Sequence, residues 1–223
     1  MIKAISMALE KGVVLLSFYA SPYGQRARIA LAEKGVQYEY KEENLPQKSE
    51  LLLKSNPVYK KIPVLIHDGK PVSESLVIVE YIDEVWSDKA PLVPSDPYQR
   101  AQARLWAGFA DKVYECGGRL WNLKGEEQEG TKKEMTEILK LLEAQLGDDK
   151  YFGGDTFGLV DVAFIPFTSW FYSYETYANF SIETFAPKIV QWAKRCMERE
   201  SVAKTISDPK IVYEYVKKRF GIE

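Results

Sequence analysis

The chain has 223 residues, 46% of them hydrophobic, enough to bury one large core or two small ones without disulfide staples. Its 30 basic and 32 acidic side chains are scattered rather than blocked, which excludes the electrostatic footprint of a nucleic-acid or anionic-membrane binder. Cys116 and Cys196 have neither a metal-ligand nor a redox-pair spacing, so they read as buried, reduced thiols of a reducing compartment.

The opening "MIKAISMALEKG" is broken by Lys3, Glu10 and Lys11, too short for a secretory signal or a membrane span. It reads as a mobile extension, residues 1–12, of a cytoplasmic protein. The sequon at Asn179 therefore stays unmodified. Val13 to Phe18 then forms a buried strand, Arg26 to Lys34 a helix stopped by Gly35, and Val36 to Lys41 an alternating second strand. A weak helix lies within "KEENLPQKSELLLKSNP", Ile62 to Ile66 returns through the turn at His67 to Lys70 as a hairpin, and Ser75 opens a helix reaching Trp86. This order gives a small α/β unit of thioredoxin type over residues 1–86, with a parallel, right-handed first crossover.

Three prolines in "SDKAPLVPSDP" mark residues 87–97 as a linker. Only helical patterns follow, over 98–223: Tyr98 to about Lys124, Thr131 to Leu146, Leu159 to about Tyr177, Glu183 to Glu200, and Pro209 to Phe220. The fold class is α/β plus all-α, a thioredoxin-like domain followed by a helical bundle.

Two arginines, Arg26 and Arg28, stand just inside the first helix, and Ser21 stands at its mouth after a strand. A nucleophilic serine requires a base and glycine flanks; the one histidine, His67, sits in the hairpin turn, and the flanks are Ala20 and Pro22. Two readings of Ser21 stay open. It caps the helix, with Pro22 at the first position, or its hydroxyl and the helix dipole hold an anion supplied by a ligand.

The stretch "KKIPVLIHDGKPVSES" adds to the second. Pro63 at a strand start is a place for a cis peptide, leaving the backbone before it free to pair with an extended peptide. Glu74 and Ser75 at a helix head match the ammonium and carboxylate of an α-amino acid. Lys48 and Lys61 suit a second carboxylate. Each alone is also an ordinary solvated charge or helix cap.

The segments "SPYGQRARIALAEKGVQYEY", "NPVYKKIPVLIHDGKPVSESLVIVEYIDEVW", "PSDPYQRAQARLWA" and "YFGGDTFGLVDVAFIPF" resemble those of plant tau-class glutathione transferases, from Val13 to the C-terminus. The resemblance implies the cytosolic transferase architecture, glutathione as co-substrate, and no other cofactor and no metal. It assigns Ser21 to the glutathione sulfur, Lys48 and Lys61 to the glycine carboxylate, Ile62 to backbone pairing beside a cis Pro63, and Glu74 with Ser75 to the γ-glutamyl head. Serine where other members carry cysteine implies conjugation of hydrophobic electrophiles and reduction of organic hydroperoxides, in detoxification and stress response, over thiol transfer.

The acceptor pocket is expected between the domains, with Tyr23, Tyr114, Trp121, Trp170 and Phe220 as its lining. A basic residue common in the class is absent at Gly118, with Arg119 adjacent. In "FGLVD", Gly158 replaces the usual Ser or Thr, leaving Asp161 to form half a capping box. The resemblance also implies a homodimer, for which Arg100 and Arg104 on one helix face and Glu80 and Glu84 on another offer contacts across a two-fold axis. A non-catalytic carrier of planar hydrophobic metabolites is the alternative function.

Overall fold

The computed structural model describes residues 12–221, so the expected extension lies, except for Gly12, outside the described residues. The chain runs β1 (Val13–Ser17), α1 (Pro22–Glu33), β2 (Glu39–Glu42), α2 (Glu50–Ser55), β3 (Val64–His67), β4 (Lys70–Ser73) and α3 (Ser75–Val85). Helices α4 (Pro97–Phe109), α5 (Asp111–Leu120), α6 (Gly125–Leu146), α7 (Leu159–Phe164) and α8 (Phe171–Ala178) follow, then α9 (Pro187–Met197), α10 (Glu200–Ala203) and α11 (Pro209–Phe220). Short 3₁₀ turns occupy Ile165–Trp170 and Ile182–Thr184. The thioredoxin-like sheet has strand order β2-β1-β3-β4, with β1 and β2 parallel and the other neighbours antiparallel.

Because side chains alternate across a strand, the two central strands β1 and β3 each feed two cores. Leu16, Val64 and Ile66 meet Leu52 of α2 on one face. Leu15 and Leu65 meet Ile29 and Leu31 of α1 and Ile78, Val79 and Ile82 of α3 on the other, continuous with the core of the helical part. All of these side chains are buried.

Several expected boundaries move for identifiable reasons. The first helix starts at Pro22, four residues earlier than Arg26, because Ser21 caps it and proline suits the first helical position. β2 begins at Glu39 rather than Val36 because the Val36 amide is committed to the helix end, donating to Leu31 O at 2.9 Å. The long helix expected from Tyr98 to Lys124 is two, broken at Ala110. α6 starts at Gly125, with Glu126 and Glu127 in its first turn, rather than at Thr131. The segment from Leu159 to Tyr177 is interrupted by a 3₁₀ turn containing Pro166, which has no amide to continue an α-helix, and Pro187 likewise starts α9 afresh. β1, β4, α3 and α11 lie where the pattern puts them.

Asp161 behaves as expected for half a capping box. Its Oδ2 accepts from the Gly158 amide at 3.0 Å, and its Oδ1 accepts from the Phe152 amide at 3.1 Å and from Trp192 Nε1 at 2.8 Å.

Candidate functional site

Strand register brings the candidate residues to one end of the sheet. Leu16 pairs with Val64, so the exit of β1 lies beside the entry of β3; Val64 pairs with Ser73, so the exit of β4 lies there too. Parallel pairing of Ser17 with Glu42 adds the exit of β2. The loops carrying Ser21, Lys48, Lys61 to Pro63, and Glu74 to Ser75 therefore emerge together.

Ser21 is half-buried at the N-cap of α1, and its Oγ accepts from the Gly24 amide at 3.2 Å. A hydroxyl has two lone pairs and one proton, so the cap uses an acceptor site and leaves the O–H to donate elsewhere. The two readings of Ser21 are thus compatible. Gly24 is dictated by space: a Cβ there would lie 1.9 Å from Ser17 Oγ. The turn before it is held by Gln25, whose Nε2 donates to Tyr19 O at 3.2 Å and to Ser207 Oγ at 2.9 Å.

The Ile62–Pro63 peptide is cis. Asn56 braces the loop before it, donating through Nδ2 to Lys61 O at 2.9 Å and accepting from the Tyr59 amide at 3.1 Å. Among the described residues neither the N–H nor the C=O of Ile62 has a hydrogen-bond partner. Lys48 and Lys61 are exposed and unpaired among the described residues.

Glu74 caps α3 at φ 70°, the left-handed region, with its side chain exposed and making no cap bond. Such a conformation costs about 1–3 kcal/mol and persists where its surroundings impose it. Ser75, at the head of α3, is buried, and its Oγ accepts from Arg26 Nη1 at 3.1 Å.

Arg26 is the residue that sequence reasoning noticed without giving it a role. Fully buried, it also donates from Nε to Ala163 O at 2.8 Å and pairs through Nη2 with Asp111. Its guanidinium lies 5.0 Å from the Tyr23 ring centroid and 4.8 Å from that of Phe167. Burial lowers its pKa, opposed by Asp111.

The five expected pocket aromatics form one connected wall. Ring centroids are 5.5 Å apart for Tyr23–Tyr114, 5.1 Å for Tyr114–Trp170, 6.0 Å for Trp170–Trp121 and 5.5 Å for Trp121–Phe220. Trp121 and Trp170 are buried, and among the described residues neither indole N–H has a partner. The wall needs Gly117, since a Cβ there would lie 2.1 Å from the Tyr174 ring. Burial, with Asp111 adding to it, pushes the Tyr23 phenol up to about 12, so it stays protonated at neutral pH.

The open cleft beside this wall, about 700 Å³, is lined instead by Phe18, Tyr19, Ile211 and Tyr215 with charged residues of α11. Tyr215 joins it to the wall, 5.1 Å from Phe18 and 6.2 Å from Trp170. Phe18 and Tyr215 were missed by the sequence reading; the position of Phe18, three before Ser21, was the available signal. Arg119 does not stand in for a basic residue at Gly118, because it pairs with Glu134 at 2.5 Å. A second cavity, about 480 Å³, lies between the linker and α4 and contains none of the candidate residues.

Neither cysteine joins the site. Both are buried; burial, with Glu134, raises the Cys116 thiol to about 11, and burial raises Cys196 as well. His67 donates or accepts with Tyr81 Oη at 2.8 Å, away from Ser21. No group of side chains suited to a metal ion occurs, and no helix is long and apolar enough to cross a membrane, among the described residues.

The family model for the glutathione S-transferase N-terminal domain matches residues 11–84, and that for the C-terminal domain matches 105–200. The chain is 61% identical over 216 residues to a probable glutathione S-transferase, parC, of Nicotiana tabacum, covering 95% of this chain and 98% of the relative. It is 60% identical over 205 residues to glutathione S-transferase U19 of Arabidopsis thaliana, covering 92% and 94%. Rice GST1 (OsGSTU1), solved in complex with glutathione, superposes with a TM-score of 0.91 at 52% identity, covering 96% of this chain and 99% of that one. A tau-class enzyme from mango, Mangifera indica, gives a TM-score of 0.88 at 41% identity, covering 93% and 98%.

Proposed function

Because the chain belongs to the glutathione S-transferase family, in its tau class, we propose that it conjugates glutathione to hydrophobic electrophiles with Ser21 as the donor that stabilises the thiolate. The observation that carries this reading is the Ser21 hydroxyl, held at the head of α1 by the Gly24 amide, with no acceptor for its own proton among the described residues. In this reading Lys48 and Lys61 meet the glycine carboxylate, and the unpaired backbone of Ile62, ahead of Pro63, pairs with the cysteinyl backbone. Glu74 takes the ammonium, and Ser75 with the first amides of α3 takes the γ-glutamyl carboxylate.

A cysteine-type thiol titrates near ~8.5, and each unit of depression corresponds to about 1.4 kcal/mol. One hydrogen bond to a charged sulfur supplies roughly 1.5–3 kcal/mol, and the dipole of α1 adds to it, so the bound thiol reaches about neutral pH without a base. The thiolate attacks the electrophile, the C–S bond forms, and the leaving group departs with the electron pair. With an organic hydroperoxide, two glutathiones leave as the disulfide and the peroxide leaves as alcohol and water. The Phe18–Tyr215 cleft receives the acceptor, backed by the aromatic wall that runs from Tyr23 to Phe220. We assign the enzyme to the cytoplasm, to detoxification and stress response, and to a homodimeric state.

Turnover of 1-chloro-2,4-dinitrobenzene, with the bound thiolate titrated by its ultraviolet absorbance, tests the reading. Conjugation with a thiolate pKa near 7 supports it. Tight glutathione binding with no turnover of any aryl halide, enone or hydroperoxide would favour the carrier instead.

A further inference from the structure

Helix α11 carries one cation that its own dipole does not call for. Lys217, Lys218 and Arg219 in its last turn complement the negative end of the helix dipole, but Lys210 stands in the first turn, beside the positive end. Lys210, Glu214 and Lys218 are four apart, as are Ile211 and Tyr215, so a charged row and an apolar row run side by side. With Phe18, Tyr19 and Arg219 they line the cleft of about 700 Å³, which holds three cations against one carboxylate in a chain of net charge −2. Among the described residues Lys210, Lys218 and Arg219 have no ion-pair partner. The floor is aromatic, with Phe18 5.1 Å and Tyr19 6.5 Å from Tyr215.

We propose that this cleft selects one class of acceptor: amphiphilic electrophiles with an apolar body and an anionic headgroup, a carboxylate or sulfonate. The body lies on Phe18 and Tyr215, toward the Trp170 wall, and Lys210, Lys218 and Arg219 hold the headgroup. The volume suits a molecule of a few hundred daltons. The assignment rests on reading the Phe18–Tyr215 cleft as the acceptor's side of the site. An exposed charge contact changes affinity by a factor of about 1.4 to 5, so three together amount to roughly tenfold at low salt, less as the Debye length shortens.

Two ligand pairs matched in shape test the proposal. The reactive pair is 4-chloro-3-nitrobenzoate and its methyl ester; in both, glutathione sulfur bonds to the ring carbon, chloride leaves with the electron pair, and the thiol proton passes to solvent. The binding pair is 8-anilinonaphthalene-1-sulfonate and neutral N-phenyl-1-naphthylamine. In the triple variant Lys210→Gln, Lys218→Gln, Arg219→Gln, the anion-to-neutral ratio of kcat/KM and of affinity falls roughly five- to tenfold, while Lys217→Gln, outside the cleft, leaves it unchanged. In the unmodified protein both ratios fall as sodium chloride is raised. Equal ratios in the unmodified protein and the triple variant, showing only solvated surface charge, overturn the proposal. If neither chloronitrobenzene is conjugated, the transferase reading fails on its own, and the fluorophore pair still decides the anion claim.

Discussion

The Ser21 Oγ accepts the Gly24 amide at 3.2 Å, so a substitution there alters the helix cap and the proposed thiolate contact together. Ser21→Ala is expected to lower stability by about 1 kcal/mol through the cap and to raise the bound thiol's pKa by about 1–2 units through the lost donor. kcat should fall at neutral pH while affinity for glutathione holds. Ser21→Thr keeps a capping hydroxyl and should recover both, whereas Ser21→Gly keeps most of the cap without the donor, separating the two effects. In the rate–pH profile the rising limb should move up in the alanine and glycine variants, with no further limb from Tyr23 below about pH 10, since burial holds that phenol near 12. Normal turnover with an unmoved limb in Ser21→Gly would remove Ser21 from the chemistry. Glu74→Ala and Ser75→Ala should raise KM for glutathione with little change in kcat, because in the proposed site they meet the end of the ligand remote from sulfur; an effect on kcat alone would contradict that. These positions were legible because each depends on a few neighbouring residues: a serine after a strand, a proline at a strand start, a polar pair at a helix head.

Across elements, one side chain fastens four helices. From α1, Arg26 reaches Ser75 at the head of α3, Asp111 at the head of α5 and Ala163 in α7. Those partners lie 49, 85 and 137 positions away in sequence, and an arginine inside a helix reads as surface charge, so no local pattern could reveal it. The same holds for the break between α4 and α5, where Asp111 turns toward Arg26 at a point that helical periodicity passes straight through. Proline breaks, by contrast, were visible in the chain at Pro166 and Pro187 but were overridden by the apolar pattern around them. Removing the cation while leaving its partners should be costly: Arg26→Met is expected to lose about 3 kcal/mol, the lower end for a broken buried pair, because the Asp111 side chain is 31% exposed and regains water. Ser75 would lose its anchor, so KM for glutathione should rise as well. Arg26→Lys restores the charge without the three-way fork, and should recover part of the stability but less of the KM. Chemical denaturation together with glutathione kinetics checks both; an unchanged midpoint in Arg26→Met would show that the fork adds nothing to the fold.

For the whole molecule, the charged faces expected to join two subunits already meet within one. Arg104 of α4 forms a bidentate pair with Glu80 of α3 in the same chain, and Arg100 Nη1 donates to Ser95 O at 3.1 Å on its own linker. Spacing by four placed these charges on common helix faces correctly, but sequence alone cannot say whether two faces meet inside a chain or between chains. The same two helices also carry exposed apolar side chains: Val77 of α3 is 55% exposed and Leu105 of α4 59%. A two-fold axis through this face would bury each residue twice, once from either subunit, and an apolar contact of that kind is insensitive to screening. The proposed dimer therefore should sediment at about twice the 25.5 kDa chain mass at micromolar concentration and persist in high salt. Val77→Glu with Leu105→Glu should dissociate it, since four carboxylates would face one another across the axis. Arg104→Glu should act first on the α3–α4 pairing inside each chain, with only a small loss of stability for so exposed a pair, and the added reversal Glu80→Arg should restore it. Sedimentation equilibrium on the three variants distinguishes the cases: a monomeric unmodified protein would end the assembly claim, and a double-glutamate variant that still dimerises would move the interface elsewhere on the surface.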